Sequence, residues 1–228
     1  MGRHMSAVTT VAGIVDVLAQ EADPDAQVAM REQYGIHADN MFGVPMRRLL
    51  QLGRQAGPDH DLALGLWDCG YYETRTIATL VDDPDRVSPD QMQQWCEDFD
   101  NWAIVDTACF RLFDRTPHAW PMVDRWVEDD RLFVRRAGFA LLWSLALHDR
   151  DTPDADFQRA LAHVPAHAAD SRPLVGKAIT MAMRAIATKR SALRDDVVAV
   201  ATRLTDDHDP VVRRVGRPIV RAFDTAPS

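Results

Sequence analysis

Cysteine is scarce in this sequence, and its spacing excludes the sites that cysteines usually build. The three cysteines are Cys69, Cys96 and Cys109, and no two of them form a CxxC pair. A disulfide framework needs an even set of cysteines, and a zinc site usually needs closely spaced pairs. We therefore expect free thiols, which fits a reducing cytoplasm.

The sequence also lacks a long apolar run and a signal peptide. No stretch approaches the roughly 18 consecutive apolar residues that a membrane-spanning helix requires. We interpret the opening MGRHM, residues 1–5, as a cloning scar and residues 6–228 as a single domain.

Motifs for nucleotide, metal and serine-hydrolase chemistry are absent. The chain has no GxGxxG after a strand, no Walker loop, no HExxH and no GxSxG. His163 and His167 are four residues apart, but Pro165 between them argues against a helical metal-binding pair. We therefore expect neither a cofactor nor a metal ion.

Strand-like alternation is nearly absent, and helical periodicity dominates. Segments such as VRRAGFALLWSLAL and VGKAITMAMRAIATK place apolar residues at i, i+3, i+4 and i+7. Proline stands near the first turn of several of these segments, as at Ser88-Pro89, where its missing N–H costs nothing. The pattern predicts an all-α protein of about a dozen short helices.

Charge is distributed unevenly along the chain. The net charge is −8, but residues 1–110 carry 7 basic and 18 acidic side chains, whereas residues 111–228 carry 19 and 16. Within 172–221 there are 11 basic and 5 acidic side chains. Such asymmetry indicates a polyanion-binding side, although a solvated basic face is the plain alternative.

A short motif recurs and indicates internal repeats. FVRRAG at 133–138 returns as VVRRVG at 211–216, and LVGKAI at 174–179 and YETRTIA at 72–78 are looser copies. Spacing of about 40 residues is typical of paired-helix solenoids such as HEAT repeats, whose second helices line an inner wall. The alternative is that each motif arginine caps the preceding helix or pairs with an aspartate. The cations that such a wall would carry are Arg75, Arg135, Arg136, Lys177, Arg213 and Arg214.

An aromatic stripe ends on a carboxylate. Trp95, Phe99, Trp102 and Asp106 fall at offsets of 0, 4, 7 and 11 residues, which predicts one face of a single helix. An acid beside apolar surface is costly unless a cation meets it. Either Asp106 forms a structural salt bridge with the FVRRAG arginines, or Trp102 and Asp106 together face a cationic ligand.

Five segments in order resemble the AlkD-like DNA alkylation repair glycosylases, a HEAT-like repeat family: FGVPMRRLLQLGRQ, YYETRTIATLV, FDNWAIVD, RLFVRRAGFALL and VGKAITMAMRAIATK. The resemblance covers about residues 25–222. It implies an α-α superhelix (solenoid) of HEAT-like repeats whose concave face binds duplex DNA. The implied reaction is hydrolysis of the N-glycosidic bond of a cationic alkylated purine in base-excision repair. Its substrates would be 3-methyladenine, 7-methylguanine or bulkier N3/N7 adducts.

The resemblance also implies roles for individual residues. The family's catalytic acid follows a Trp by four residues, which matches Asp106 and Trp102. The Arg that opens the next inner helix matches Arg136. A second family Trp falls on Met181, and Tyr34 is the candidate for an N-terminal aromatic. The remaining expected DNA contacts are Arg135, Lys177, Met181, Arg184, Arg213, Arg214 and Arg217.

This chemistry needs no metal ion, because an alkylated purine is already cationic and leaves readily. Asp106 would stabilise the oxocarbenium-like sugar and orient water. Trp102 would stack on the sugar or the cation, and Arg136 would hold a flanking phosphate. The resemblance implies that the lesion stays largely stacked instead of entering a tight pocket, which would admit bulky adducts.

We therefore expect a monomeric, cytoplasmic, nucleoid-associated glycosylase of bacterial type. Its partner would be double-stranded DNA with alkylated purines, with no membrane or metal partner. Two alternatives stay open. One is a non-catalytic DNA-binding module on the same scaffold, for damaged or branched DNA. The other is a HEAT-type protein-interaction scaffold, which the acidic N-terminal half would suit.

Overall fold

All regular structure in this computed structural model is helical. It describes residues 7–223, and among these residues there is no strand, so the all-α prediction is confirmed. The helices before residue 118 are α1 (Val11–Gln20), α2 (Pro24–Glu32), α3 (Met46–Ala56), α4 (His60–Asp68), α5 (Tyr72–Val81), α6 (Pro89–Glu97) and α7 (Trp102–Arg111). Those after it are α8 (Ala119–Val127), α9 (Leu132–His148), α10 (Asp154–Leu161), α11 (His163–His167), α12 (Pro173–Lys189), α13 (Arg194–Thr205) and α14 (Pro210–Phe223). Short 3-10 helices are Ala7–Thr9, Phe113–Arg115 and Ser191–Leu193.

The chain forms two compact units, with the boundary between His118 and Ala119. In the first unit, α5 packs against α3, α4 and α7. In the second, α12 packs against both α9 and α14, while α8 packs on α9 and α13 on α14. Neighbouring contacts of this kind are what a stack of helix pairs produces.

The predicted domain boundaries stay a prediction. Residues 6–228 were expected to form one domain, and a solenoid can divide into compact units because each repeat contacts only its neighbours. The proposed cloning scar, residues 1–5, lies outside the described residues. Within residues 7–223, none of the helices has the length and apolarity needed to span a bilayer.

The predicted helix starts follow local capping chemistry. α6 begins at Pro89 because the Ser88 side chain accepts a hydrogen bond from the Gln91 N–H at 3.1 Å. Pro173 and Pro210 likewise open α12 and α14. The start at Ser88-Pro89 was predicted from the sequence and is confirmed.

The first unit has an aromatic core fixed by polar contacts. Trp67 stacks on Trp95 with ring centroids 4.0 Å apart and planes 3° from parallel. The Trp67 Nε1–H donates to Asp98 at 2.8 Å, and the Arg75 guanidinium lies 5.3 Å from the Trp67 ring centroid. Arg75 also donates to the Asp98 carbonyl oxygen at 2.8 Å. This motif arginine is therefore part of the core of its own unit.

A buried carboxylate holds the loop that precedes α3. Glu73 is 0% exposed. Its Oε1 accepts hydrogen bonds from the Gly43 and Val44 N–H groups at 2.7 and 3.2 Å, and its Oε2 accepts one from Phe42 at 2.9 Å. Gly43 has a φ of 85°, and a Cβ there would overlap the Asp23 carbonyl oxygen. The FGVP segment is thus fixed by one acid and one glycine.

The RRxG sequence shared by FVRRAG and VVRRVG marks close helix contacts. A Cβ built on Gly138 in α9 would lie 2.6 Å from the Val127 backbone nitrogen at the end of α8. A Cβ built on Gly216 in α14 would overlap the Ala201 carbonyl oxygen in α13. Each glycine therefore lets the second helix of a pair approach the backbone of the first.

Gly138→Ala is expected to lower the free energy of unfolding by about 1–3 kcal/mol, the usual cost of overpacking. Gly176 is the matched control, because a Cβ there would meet only Val215 Cγ2 at 3.7 Å, an ordinary contact. Gly176→Ala should be neutral or stabilise by up to about 1 kcal/mol through helix propensity. Urea unfolding of both variants measures the difference, and equal stabilities would contradict the close-contact explanation.

Candidate functional site

Trp102 and Asp106 lie one turn apart at the start of α7. The Asn101 side chain accepts hydrogen bonds from the Ala103 and Ile104 N–H groups at 3.0 and 3.1 Å. It therefore makes Trp102 the first residue of the helix. Both Trp102 and Asp106 are half-buried. A spacing of four residues places them on the same face of α7.

The predicted continuous stripe from Trp95 to Asp106 is wrong. α6 ends at Glu97 and α7 begins at Trp102, so the four residues belong to two helices. Asn101 is the physical reason, because its side chain caps a new helix instead of continuing the old one. Trp95 is 3% exposed and lies in the core, whereas Trp102 lies at the partly exposed edge.

The segment before α3 contacts the start of α7 through two hydrogen bonds. The Trp102 indole N–H donates to the Tyr34 carbonyl oxygen at 3.1 Å. The Asp39 N–H donates to the Asp100 side chain at 2.9 Å. Tyr34 is itself 62% exposed, one of the most exposed large apolar residues among those described. The structure thus brings the predicted N-terminal aromatic next to Trp102 through its backbone.

Arg135 is held by two carboxylates. Its Nη1 donates to Asp170 at 2.9 Å, and its Nη2 donates to Asp130 at 2.9 Å. Its Nε donates to the Val127 carbonyl oxygen at 3.2 Å, at the end of α8. Hydrogen bonds from Arg172 hold the pKa of Asp170 well below its usual range, and Arg135 lowers it further. In this structure Arg135 therefore behaves as the alternative interpretation expects, because it caps the preceding helix and pairs with aspartates.

Arg136 and Arg213 also make internal hydrogen bonds. Arg136 is 2% exposed, and its Nη1 donates to the Leu174 carbonyl oxygen at 2.7 Å, which connects α9 to α12. Arg213 Nη1 donates to the carbonyl oxygens of Asp207 and His208 at 2.9 and 2.7 Å, after the end of α13. Because Arg136 is almost fully buried, it has almost no exposed surface that could contact a phosphate in this structure. The expected phosphate contacts of both residues stay predictions.

Lys177, Met181 and Arg214 line one cleft between α12 and α14. We call it the α12–α14 cleft; its volume is about 240 Å³. Thr180 connects its two walls by a hydrogen bond to the Val215 carbonyl oxygen at 3.3 Å. Its lining contains no acidic side chain among the described residues. The lining residues are Pro173, Gly176, Lys177, Thr180, Met181, Arg214, Val215 and Pro218.

The remaining predicted cations are exposed on the same two helices. Arg184 lies seven residues after Lys177 on α12, and Arg217 lies three residues after Arg214 on α14. These spacings keep each pair on one helix face. The structure therefore places Lys177, Arg184, Arg214 and Arg217 in exposed positions on two helices that pack against each other.

Pro165 does not disrupt the helix between His163 and His167, while the expectation that the two histidines bind no metal stays a prediction. His163 and His167 are the two ends of α11, with ring centroids 6.5 Å apart. Pro165 is the third residue of this helix, where its missing N–H has no intrahelical partner to lose. Both rings face Glu128, so these residues together have metal-ligand chemistry.

Comparisons with known proteins bear on the family and the fold of this chain. The family model described as DNA alkylation repair enzyme matches residues 14–214. A search of curated proteins gives no match. One similar solved structure is described as "a new family of proteins related to the HEAT-like repeat DNA glycosylases with affinity for branched DNA structures". Its TM-score is 0.76 at 15% identity, over 94% of this chain and 95% of that chain. The HEAT-like helical fold is therefore confirmed.

Proposed function

Because this chain belongs to the DNA alkylation repair enzyme family, we propose that it hydrolyses the N-glycosidic bond of cationic alkylated purines in duplex DNA. The observation that carries the proposal is the position of Trp102 and Asp106. Both are half-buried at the start of α7, four residues apart, with the Trp102 indole oriented by the Tyr34 carbonyl oxygen. An aromatic ring and a carboxylate on the same face of α7 can together stabilise a cationic reaction centre.

The proposed chemistry follows from the substrate's charge. An N3- or N7-alkylated purine carries a positive charge and leaves as a neutral base when the bond to C1′ breaks. The electron pair of that bond goes to the base, and the sugar becomes oxocarbenium-like. Asp106 stabilises this cation and orients a water molecule, whose oxygen bonds to C1′ as its proton is released. Trp102 stacks against the sugar or the cationic base.

The DNA backbone is the expected ligand of the exposed cations on α12 and α14. Lys177 and Arg214 flank the α12–α14 cleft, whose wall includes Met181. Met181 is a flexible apolar residue, which adapts to irregular partners better than a rigid aromatic does. A wall of this kind suits bulky adducts as well as methyl groups. Counterion release should then make binding depend steeply on salt.

The double variant Lys177→Ala/Arg214→Ala is expected to reduce the salt dependence of duplex binding. The slope of log K against log salt should fall by roughly 2 units, because each lost phosphate contact contributes about 0.9. Arg125→Ala/Arg203→Ala is the matched control, since both arginines are exposed but lie on α8 and α13, outside the α12–α14 cleft. Fluorescence anisotropy at several salt concentrations measures both slopes. An unchanged slope for the Lys177/Arg214 variant would remove these residues from the interface.

A second candidate function is non-catalytic binding of branched or damaged DNA. The similar solved structure is described as having affinity for branched DNA structures. Met181 stands where the catalytic relatives are expected to place a second Trp, so one aromatic contact to a lesion is missing. The two candidates share the DNA contacts of α12 and α14 and differ only in the role of Asp106.

The experiment that separates them measures free base release from methylated duplex DNA. Release of 7-methylguanine or 3-methyladenine is followed by chromatography, with spontaneous depurination measured in parallel without protein. Release above that background supports the glycosylase. Salt-sensitive binding to a four-way junction or duplex without release supports the second candidate. Absence of both binding and release would overturn both and leave the protein-interaction scaffold.

A further inference from the structure

Three metal-ligating side chains converge in the second unit, on residues that the proposed glycosylase does not use. Glu128 directly follows α8, and His163 and His167 are the two ends of α11. One oxygen, Glu128 Oε1, lies 3.2 Å from His163 Nδ1 and 3.1 Å from His167 Nε2. Each residue offers one ligand atom, and these atoms lie within 4.8 Å of one another. We call this group the Glu128 cluster.

Both ring nitrogens of His163 face carboxylate oxygens. Its Nδ1 faces Glu128, while its Nε2 lies 3.2 Å from Asp124 Oδ1. A neutral imidazole has one N–H, and an ionised carboxylate only accepts. One of the two nitrogens would therefore point its lone pair at a carboxylate oxygen. A positive charge between the atoms, either a second proton or a metal ion, removes this repulsion.

Asp124 has the position of an outer-shell partner. An N–H on His163 Nε2 that donates to Asp124 leaves Nδ1 as the ligand atom, which is the carboxylate–histidine–metal arrangement. Arg159 donates to both Asp124 oxygens at 2.7 Å, which neutralises this carboxylate and orients it.

The two distances from Glu128 Oε1 to the histidine nitrogens fit the ligand spacing around a small divalent ion. Ligands at about 2.0–2.2 Å in a tetrahedral zinc site lie roughly 3.3 Å from one another. The two distances from Glu128 Oε1 differ from this by only a few tenths of an ångström. The exposed fractions of the side chains are 59% for Glu128, 22% for His163 and 9% for His167. One side therefore faces solvent, which allows entry of the ion and a water ligand.

We propose that Glu128, His163 and His167 bind a divalent transition-metal ion, with Zn²⁺ the ion that this donor set fits best. Imidazole and carboxylate ligands suit Zn²⁺, and water completes the coordination. The ion connects the end of α8 to α11 and so stabilises the second unit. This proposal departs from the metal-free expectation drawn from the sequence, and it does not depend on the proposed glycosylase activity.

The test is thermal unfolding of the full chain after metal removal, with and without added Zn²⁺. Zn²⁺ at a hundredfold excess over its dissociation constant should raise the unfolding midpoint by about 5–10 °C. Co²⁺ should give the visible absorption of a low-coordinate site with nitrogen and oxygen ligands. No midpoint shift and no cobalt spectrum with the unmodified protein would overturn the proposal.

Variants locate the site. Glu128→Gln and His167→Gln should each weaken Zn²⁺ binding more than tenfold, and circular dichroism shows whether each variant is folded. Glu128 is exposed, so Glu128→Gln tests the site even if His167→Gln fails to fold. Asp124→Asn should weaken binding roughly 10- to 100-fold with the cobalt spectrum kept, as expected for an outer-shell residue. His208→Gln, an exposed histidine elsewhere, is the control; wild-type binding by Glu128→Gln would overturn the proposal.

Discussion

Asp106→Asn is expected to lower the rate of base release by roughly 100- to 1,000-fold, the usual cost of removing one group that stabilises transition-state charge. The amide has the same shape but carries no charge to stabilise the oxocarbenium-like sugar. Duplex affinity should change by less than about threefold, because phosphate contacts carry most of it. Single-turnover release from methylated duplex DNA, with anisotropy for binding, measures both quantities.

Asp16→Asn is the matched control for this prediction. Asp16 is an exposed carboxylate on α1, so its loss changes net charge equally without touching α7. Its release rate should equal that of the unmodified protein. Thermal unfolding of Asp106→Asn tests the alternative that Asp106 serves structure only, since a lost structural ion pair would lower the unfolding midpoint. Release at the unmodified rate would show that Asp106 does not carry the reaction.

The helical parts of the fold were predictable because their signals are local. Periodicity gave the helices, and Ser88-Pro89 gave the start of α6 through side-chain capping. The stripe from Trp95 to Asp106 was wrongly assigned to one helix, although a local signal in the sequence shows that the helix is interrupted. Asn101 is a strong N-cap residue directly before Trp102, and it starts a second helix there. The prediction that Trp102 and Asp106 lie on one helix was correct, since both belong to α7.

The arginines and the glycine of the RRxG motif both make contacts between paired helices. The RRxG motif was interpreted through its arginines, as cations on a DNA-facing wall. In the structure, Arg135 and Arg213 donate to backbone oxygens at or after the end of the preceding helix. The glycines of the motif allow close contact of the paired helices. The repeated motif therefore marks how helix pairs pack. Its exposed member Arg214 and exposed cations outside it, such as Arg184, are better candidates for DNA contacts than the internally bonded Arg135 and Arg213.

Contacts between residues that are far apart in the sequence could not be predicted from the sequence alone. The hydrogen bond from Trp102 to the Tyr34 carbonyl oxygen joins residues 68 positions apart, and no periodicity encodes it. Glu73 was part of a recognised segment, but its three hydrogen-bond donors lie about 30 residues earlier in the chain. Such pairs depend on how helices pack, which is a property of the whole unit. The Glu128 cluster was missed for the same reason, because Glu128 is 35 residues from His163.

Glu73→Gln is expected to lower the free energy of unfolding by about 3 kcal/mol or more. The carboxylate is fully buried and accepts three backbone N–H groups, from Phe42, Gly43 and Val44. A glutamine offers one oxygen and one NH₂ group, and the NH₂ group would face an N–H donor instead of accepting from it. At least one buried N–H then loses its partner, and the remaining hydrogen bonds lose the assistance of the charge.

Hydrogen exchange gives this prediction a local measurement beside urea unfolding. The amides of Phe42, Gly43 and Val44 should exchange far faster in Glu73→Gln, whereas Glu32→Gln, an exposed acid on α2, should leave them protected. Because these amides precede α3, which packs on α5 in the unit that carries α7, their loss should also loosen the segment that supports Trp102. Slow exchange of all three amides in Glu73→Gln would show that the loop is held by its backbone conformation and not by the buried charge.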